Sequence, residues 1–349
     1  MIFNNTTGNR TAFDELLRAM DSNIFDALQF SNLHKIILNL FTADLEIQLQ
    51  MSTAEIDLPD SGGQTPLFWA ALRGDEKSVI TLLKYGADPH YTSNIGEVAL
   101  HWSIEASDDA CTHRLLEGGA DPNARSHFGA TALHYAAWTH DDPTKHLQPL
   151  VDHGADVNIQ SFEGHTPLHY AASVSSDFIA PAEFLLSRGA DLEIRDNKGN
   201  TPLMEAIRNN LPNVAEYLLQ RGANPRGVSK MGENVLHIAA AKGGIRMFRM
   251  LDDKGIESMD PHALTLAELT PREILAQRHD RPEGMFEAFE ELLKNVRWVP
   301  GKEGPEISGI GESEVAEEGE EENFEDAVEE QDPETPLPQY EKLDMLIQT

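Results

Sequence analysis

The chain has 349 residues, 40% of them apolar and 7% aromatic, the composition of a folded protein in water and not of a membrane-embedded or wholly disordered one. Its formal charge of −32 argues against nucleic acid or an anionic membrane as partner, since both are approached through Lys/Arg-rich faces. No run reaches the roughly 18 apolar residues of a spanning helix, residues 1–10 lack a basic-then-apolar leader, and the single cysteine, Cys111, excludes an internal disulfide framework and a Cys-based zinc site. The expectation is an intracellular protein of the cytoplasm, with the nucleus as a second compartment.

In chain order, residues 1–25 are an N-terminal segment in which Phe13–Met20 has the pattern of a short helix, and Ser31-Asn32-Leu33-His34 precedes an amphipathic stretch, Ile36–Leu49. A motif then recurs: Thr65-Pro66-Leu67, Val98-Ala99-Leu100-His101, Thr131-Ala132-Leu133-His134, Thr166-Pro167-Leu168-His169, Thr201-Pro202-Leu203 and Asn234-Val235-Leu236-His237, at intervals of 33, 33, 35, 35 and 33 residues. A second string follows each of the first five, at Gly86-Ala87-Asp88, Gly119-Ala120-Asp121, Gly154-Ala155-Asp156, Gly189-Ala190-Asp191 and Gly222-Ala223-Asn224. Threonine caps the free N–H groups of a helix start, and proline after it has the right φ and no N–H to satisfy. Thr65, Thr166 and Thr201 therefore begin helices. Alanine pairs such as Ala136-Ala137 let that helix lie close to its neighbours, and leucine pairs such as Leu115-Leu116 supply the apolar stripe of a second helix. The glycine of the second string suits a left-handed helix end.

These coupled strings resemble the ankyrin repeat, whose signature is T-P-L-H-x-A at a period of 33. The resemblance implies an all-α solenoid of helix-turn-helix units joined by short β-hairpin loops. It places an N-terminal capping repeat at 26–59 and six repeats over 60–255, at about 60–92, 93–125, 126–160, 161–195, 196–228 and 229–255. A degenerate closing repeat takes 256–299, with Leu269–Leu275 beginning its first helix and Phe286–Val296 as its second. The capping repeats are atypical because they face water. The two 35-residue intervals predict longer loops between helices at Thr139–Lys145 and Val174–Ala180. Residues 300–349 carry 17 acidic and 2 basic residues, nearly half of the acidic excess, and read as a disordered tail that ends in a more apolar segment around Tyr340, Leu343 and Ile347.

Histidine is the main candidate for other chemistry. Of the 14 histidines, His101, His134, His169 and His237 fall in the T-P-L-H slot, where the resemblance implies local hydrogen bonding. His140, Asp141, Asp142 and His146 are the only plausible nucleus of a metal site, and polar loop residues are the simpler reading. No nucleophile elbow, phosphate-cradling glycine loop, H-E-x-x-H pair or kinase motif set is present, so neither catalysis nor a cofactor or metal is expected. Cys111 reads as a small buried apolar residue.

The resemblance implies a binding face made of hairpin tips and the exposed ends of first helices. Those slots hold Ile95, Phe128 and Phe162 on hairpins, Leu72, Arg73, Trp138 and Arg208 at helix ends, and Lys198, Lys230, Met231 and Lys242 further along. Phe128, Trp138 and Phe162 are expected to lie exposed side by side, because large exposed apolar residues in neighbouring slots mark contact surfaces. Trp69, Trp102, Tyr135 and Tyr170 are expected to pack between repeats. The expectation is a monomeric protein-interaction scaffold or adaptor that holds a partner on the concave face; the alternative is a substrate-recruiting subunit of a ubiquitin ligase or other regulatory complex.

Overall fold

Thr65 shows how each unit begins. Its Oγ1 accepts the Phe68 N–H at 3.4 Å and Pro66 fills the first turn, so the helix starts with its free donors satisfied. The same device recurs at Thr166, Thr201 and Thr270. The computed structural model describes residues 28–106, 109–138, 144–173, 178–254, 256 and 259–296.

Sixteen α-helices form eight pairs among the described residues: α1 (Asn32–Ile37) with α2 (Leu45–Met51), α3 (Pro66–Leu72) with α4 (Glu76–Lys84), α5 (Ala99–Trp102) with α6 (Ala110–Glu117), and α7 (Ala132–Trp138) with α8 (Thr144–Asp152). Then follow α9 (Pro167–Ala171) with α10 (Ala180–Ser187), α11 (Pro202–Arg208) with α12 (Pro212–Gln220), α13 (Val235–Lys242) with α14 (Ile245–Asp253), and α15 (Pro271–Gln277) with α16 (Met285–Asn295). First helices pack on first helices and second helices on second. Ala70, Ala71, Ala136, Ala137, Ala171, Ala172, Ala239 and Ala240 are buried where first helices meet, and Leu82, Leu115, Leu185 and Leu218 are buried under the second layer. The core runs without interruption from Leu33 to Val296 and includes Cys111.

Three details differ from the expectations. Ile36–Leu49 is not one helix: α1 stops at Leu38, Asn39 takes a φ of 56°, and the Leu40 N–H closes on the Lys35 carbonyl at 2.8 Å, a left-handed helix end after which Asp44 caps α2. The two intervals between first and second helices that were expected to be longer do exceed the 73–75 between α3 and α4, but their bounds are 139–143 and 172–179, since Lys145 and Ala180 are already helical. The hairpins are turns joined by backbone bonds, with no regular strand among the described residues. Phe13–Met20, the metal nucleus at His140, Asp141 and Asp142, and the acidic tail lie outside the described residues.

Candidate functional site

Between one helix pair and the next the chain makes a hairpin whose parts are the same each time. Ser93 donates its N–H to the Glu97 carbonyl at 2.8 Å, and the Gly96 N–H returns to the Ser93 carbonyl at 2.9 Å. Equivalent bonds close the turns from Ser126 to Ala130, Ser161 to His165, Asp196 to Asn200, Ser229 to Glu233 and Thr265 to Leu269. The first tip residue of each hairpin then donates its N–H to the second tip residue of the hairpin before it: Asn94 to Gly62, His127 to Ile95, Phe162 to Phe128, Asn197 to Glu163, Lys230 to Lys198 and Leu266 to Met231, at 2.8–3.0 Å. Backbone bonds therefore hold the tips in a ladder, and their side chains stand in two parallel rows. Behind the tips, Arg125 donates to the Gln160 carbonyl, Gln160 to the Arg195 carbonyl and Arg195 to the Val228 carbonyl.

The rows differ in exposure. First tip residues lie over the preceding turn glycine; a methyl group on Gly129 would come within 2.7 Å of the Phe162 ring. Phe162 nevertheless stays 62% exposed, with the Arg125 guanidinium 5.9 Å from its ring centroid. In the second row Ile95 and Phe128 are half-buried, whereas Lys198 and Met231 are exposed.

Beneath the tips, the slot histidines fasten the ladder to the helices. Nδ1 of His101, His134 and His169 accepts the N–H of Val98, Thr131 and Thr166 at 3.0–3.1 Å. Nε2 must then carry the proton, and it donates to the carbonyls of Ala130, His165 and Asn200 in the next hairpin at 3.0–3.2 Å. Burial holds His101 down at about 4, His134 at about 3 and His169 at about 4, so all three are neutral. Glu97 is buried between Trp102, whose Nε1 donates at 2.5 Å, and Tyr135, whose hydroxyl donates at 2.9 Å; Trp69 donates likewise to Asp60 at 2.9 Å. Tyr170 packs edge-on against His134 at 5.0 Å, and burial pushes its phenol up to about 12. All four of these rings are half-buried between successive units.

His165 behaves differently. It lies 3.3 Å from Asp196 and 3.3 Å from Glu163. Burial opposes its charge, but the Asp196 hydrogen bond and the Glu205 and Glu163 carboxylates outweigh that and raise it. Burial also opposes the charge on Asp196, yet the bonds from His165 and the Asn200 N–H hold it at about 2.

The expected binding residues separate into three groups. Phe162, Lys198 and Met231 stand exposed on the tips, and Lys230 and Lys242 are also exposed. Leu72, Ile95, Phe128 and Trp138 are half-buried, so the three rings expected to lie exposed side by side do not; among Phe128, Trp138 and Phe162 only Phe162 is exposed. Arg73 and Arg208 are corrections. Arg73 is 7% exposed, because the turn that follows it packs at Gly74 against Ala106 of the next unit. Arg208 is engaged between Asn200 at 3.2 Å, Glu233 at 3.2 Å and Glu205 at 3.8 Å.

Sequence reasoning missed Leu266, the most exposed of the large apolar side chains on the described tips at 71%. Its signal was present: Leu266 stands four positions before Thr270, as Phe162 stands before Thr166. His146, named with the metal nucleus, turns inward, with Nδ1 3.1 Å from the Thr112 hydroxyl and Nε2 3.3 Å from the Ala106 carbonyl.

The chain matches the family described as ankyrin repeats (3 copies) over residues 89–161, 133–228 and 180–263, and that described as ankyrin repeat over residues 62–94. Among solved structures, the ankyrin repeat domain of Bcl-3, described as a unique member of the IkappaB protein family, aligns with a TM-score of 0.52 and 25% identity over 66% of this chain and 100% of that one. The human ASB11 ankyrin repeat domain aligns with a TM-score of 0.56 and 22% identity over 70% of this chain and 100% of that one, a likeness of fold.

Proposed function

The chain belongs to the ankyrin-repeat family, and from that premise we propose that it is a non-enzymatic scaffold or adaptor that holds a partner protein along its hairpin tips, the concave face of the array. The observation that carries this reading is the pair of large apolar side chains, Phe162 at 62% and Met231 at 58% exposure, displayed on tips that backbone hydrogen bonds join in a ladder. Covering such side chains with a partner removes apolar surface from water, which is why exposed large apolar residues mark contact surfaces. The net charge of −32 favours a protein over nucleic acid or anionic membrane as partner.

The test is cross-linked capture from cell extract by the wild-type chain and by Phe162→Ala/Met231→Ala. Truncating anchors of this kind costs about 2 kcal/mol or more of binding, so the double variant should retain each partner about tenfold less well or worse, with unchanged helical circular dichroism. An identical set of captured proteins at identical yield would place the contact surface elsewhere. Ubiquitin-ligase subunits among the proteins lost would identify the array as a recruiting subunit of such a complex.

A further inference from the structure

Within that scaffold reading, the tips of the last four described hairpins carry a feature of their own. Several cations elsewhere in the array are paired: Lys84 with Glu46 at 2.7 Å, Arg114 with Glu76 at 2.8 Å, Arg188 with Asp152 at 3.3 Å, Lys254 with Glu216 at 2.7 Å and Arg208 with Glu233 at 3.2 Å. Lys198 and Lys230 are exposed and make no ion pair among the described residues. They are also neighbours, since the Lys230 N–H donates to the Lys198 carbonyl at 2.8 Å. In a chain of net charge −32, two lysines adjacent on the ladder and without an ion pair set a positive feature on an acidic molecule.

Large apolar side chains flank them in the same two rows. Phe162 stands two hairpins before Lys230 in the first row and Leu266 one hairpin after it, while Met231 follows Lys198 in the second row. Phe162, Met231 and Leu266 are all more than half exposed. Of the carboxylates around the patch, Asp196, which accepts the Lys198 N–H at 2.9 Å, and Glu163 each lie 3.3 Å from His165, and Glu233 pairs with Arg208 at 3.2 Å, so none of the three forms an ion pair with the lysines.

We propose that this patch binds an acidic segment of a partner protein in which Asp or Glu residues are flanked by large apolar ones, the acids meeting Lys198 and Lys230 and the apolar residues covering Phe162, Met231 and Leu266. A basic segment would leave the lysines facing like charge, and an uncharged apolar one would bury two ammonium groups without partners. The ladder bonds hold the tips side by side in chain order, which suits an extended segment laid across them.

The experiment pans a display library of random short peptides against the full-length chain and measures the enriched peptides by fluorescence anisotropy. The variants are Lys198→Glu/Lys230→Glu and, as a control with the same change of net charge far from the tips, Lys77→Glu/Lys294→Glu. Enriched peptides should be acidic with at least two large apolar residues. The tip variant should weaken them by about tenfold or more, the control by no more than roughly twofold, and added salt should narrow that gap. Enrichment of basic or uncharged peptides, no enrichment at all, or equal losses in both charge variants would overturn the proposal. Cellular partners lost with Phe162→Ala/Met231→Ala but kept by Lys198→Glu/Lys230→Glu would leave the scaffold reading standing and sink this one.

Discussion

At His134 one neutral ring does two jobs: it accepts the Thr131 N–H at 3.0 Å and donates to the His165 carbonyl at 3.0 Å, closing its own helix start and tying it to the next hairpin. Protonating Nδ1 would turn an acceptor into a donor facing a donor. The folded-state values of His101, His134 and His169 are held by burial at about 4, 3 and 4, below the ordinary imidazole value of about 6.5. Between these limits the unfolded chain takes up protons that the folded one refuses, so stability falls as pH falls from about 6.5 toward about 4, by up to about 1.4 kcal/mol per pH unit for each ring. Urea midpoints at a series of pH values should show this decline, and His134→Gln should flatten it while lowering stability at neutral pH by about 1–3 kcal/mol through lost buried bonds. His165 acts in the opposite sense. Its raised value adds stability that is fully present below 6.5 and disappears as pH rises through the folded value.

The hairpin is the element that repeats most strictly, and contact with the next hairpin explains why. A methyl group on Gly129, at φ 73°, would lie 2.6 Å from the Phe162 nitrogen; one on Gly119, at φ 92°, would meet nothing within 4 Å. Gly119→Ala should therefore cost only the left-handed backbone penalty of about 1–2 kcal/mol. Gly129→Ala should cost clearly more, because the Phe162 N–H must leave the Phe128 carbonyl, and comparing the two urea midpoints checks the order. The last described tip supports the argument. Glu268 adopts φ 59° in the glycine slot, and no described hairpin is stacked on it.

Across the described molecule each unit touches its neighbours, as repeat arrays do, so a single core defect weakens the units on either side. Leu168 is fully buried in α9, and Leu168→Ala should lower stability by roughly 2–5 kcal/mol, whereas the exposed tip variants should leave it unchanged. The ion pairs that link successive second helices, such as Lys84–Glu46, are largely solvent-accessible, and exposed pairs are worth about 0–1 kcal/mol each. Against them stands the self-repulsion of an acidic chain of net charge −32, which salt also screens. Raising salt toward about 1 M, where the screening length is about 3 Å, should leave the urea midpoint unchanged or raise it; a marked fall would mean that the pairs dominate.

The amino-acid sequence by itself determined the period, the helix starts at Thr65, Thr166 and Thr201, the glycine positions and the local bonding of the slot histidines, because each depends on capping, on φ or on a contact fixed by the repeat spacing. Tertiary structure alone decided which of the remaining side chains meet solvent. Arg73 and Arg208 have the same long cationic form as the exposed lysines, but the Gly74–Ala106 contact covers the turn beside the first, and Glu205 and Glu233 capture the second. Phe128 and Phe162 occupy tips of neighbouring hairpins, three and four positions before Thr131 and Thr166; that offset was legible, but that the first ring is half-buried and the second exposed only the packed structure shows. Exposure depends on what the next unit places against a side chain, and a residue's position within its own repeat does not contain that information.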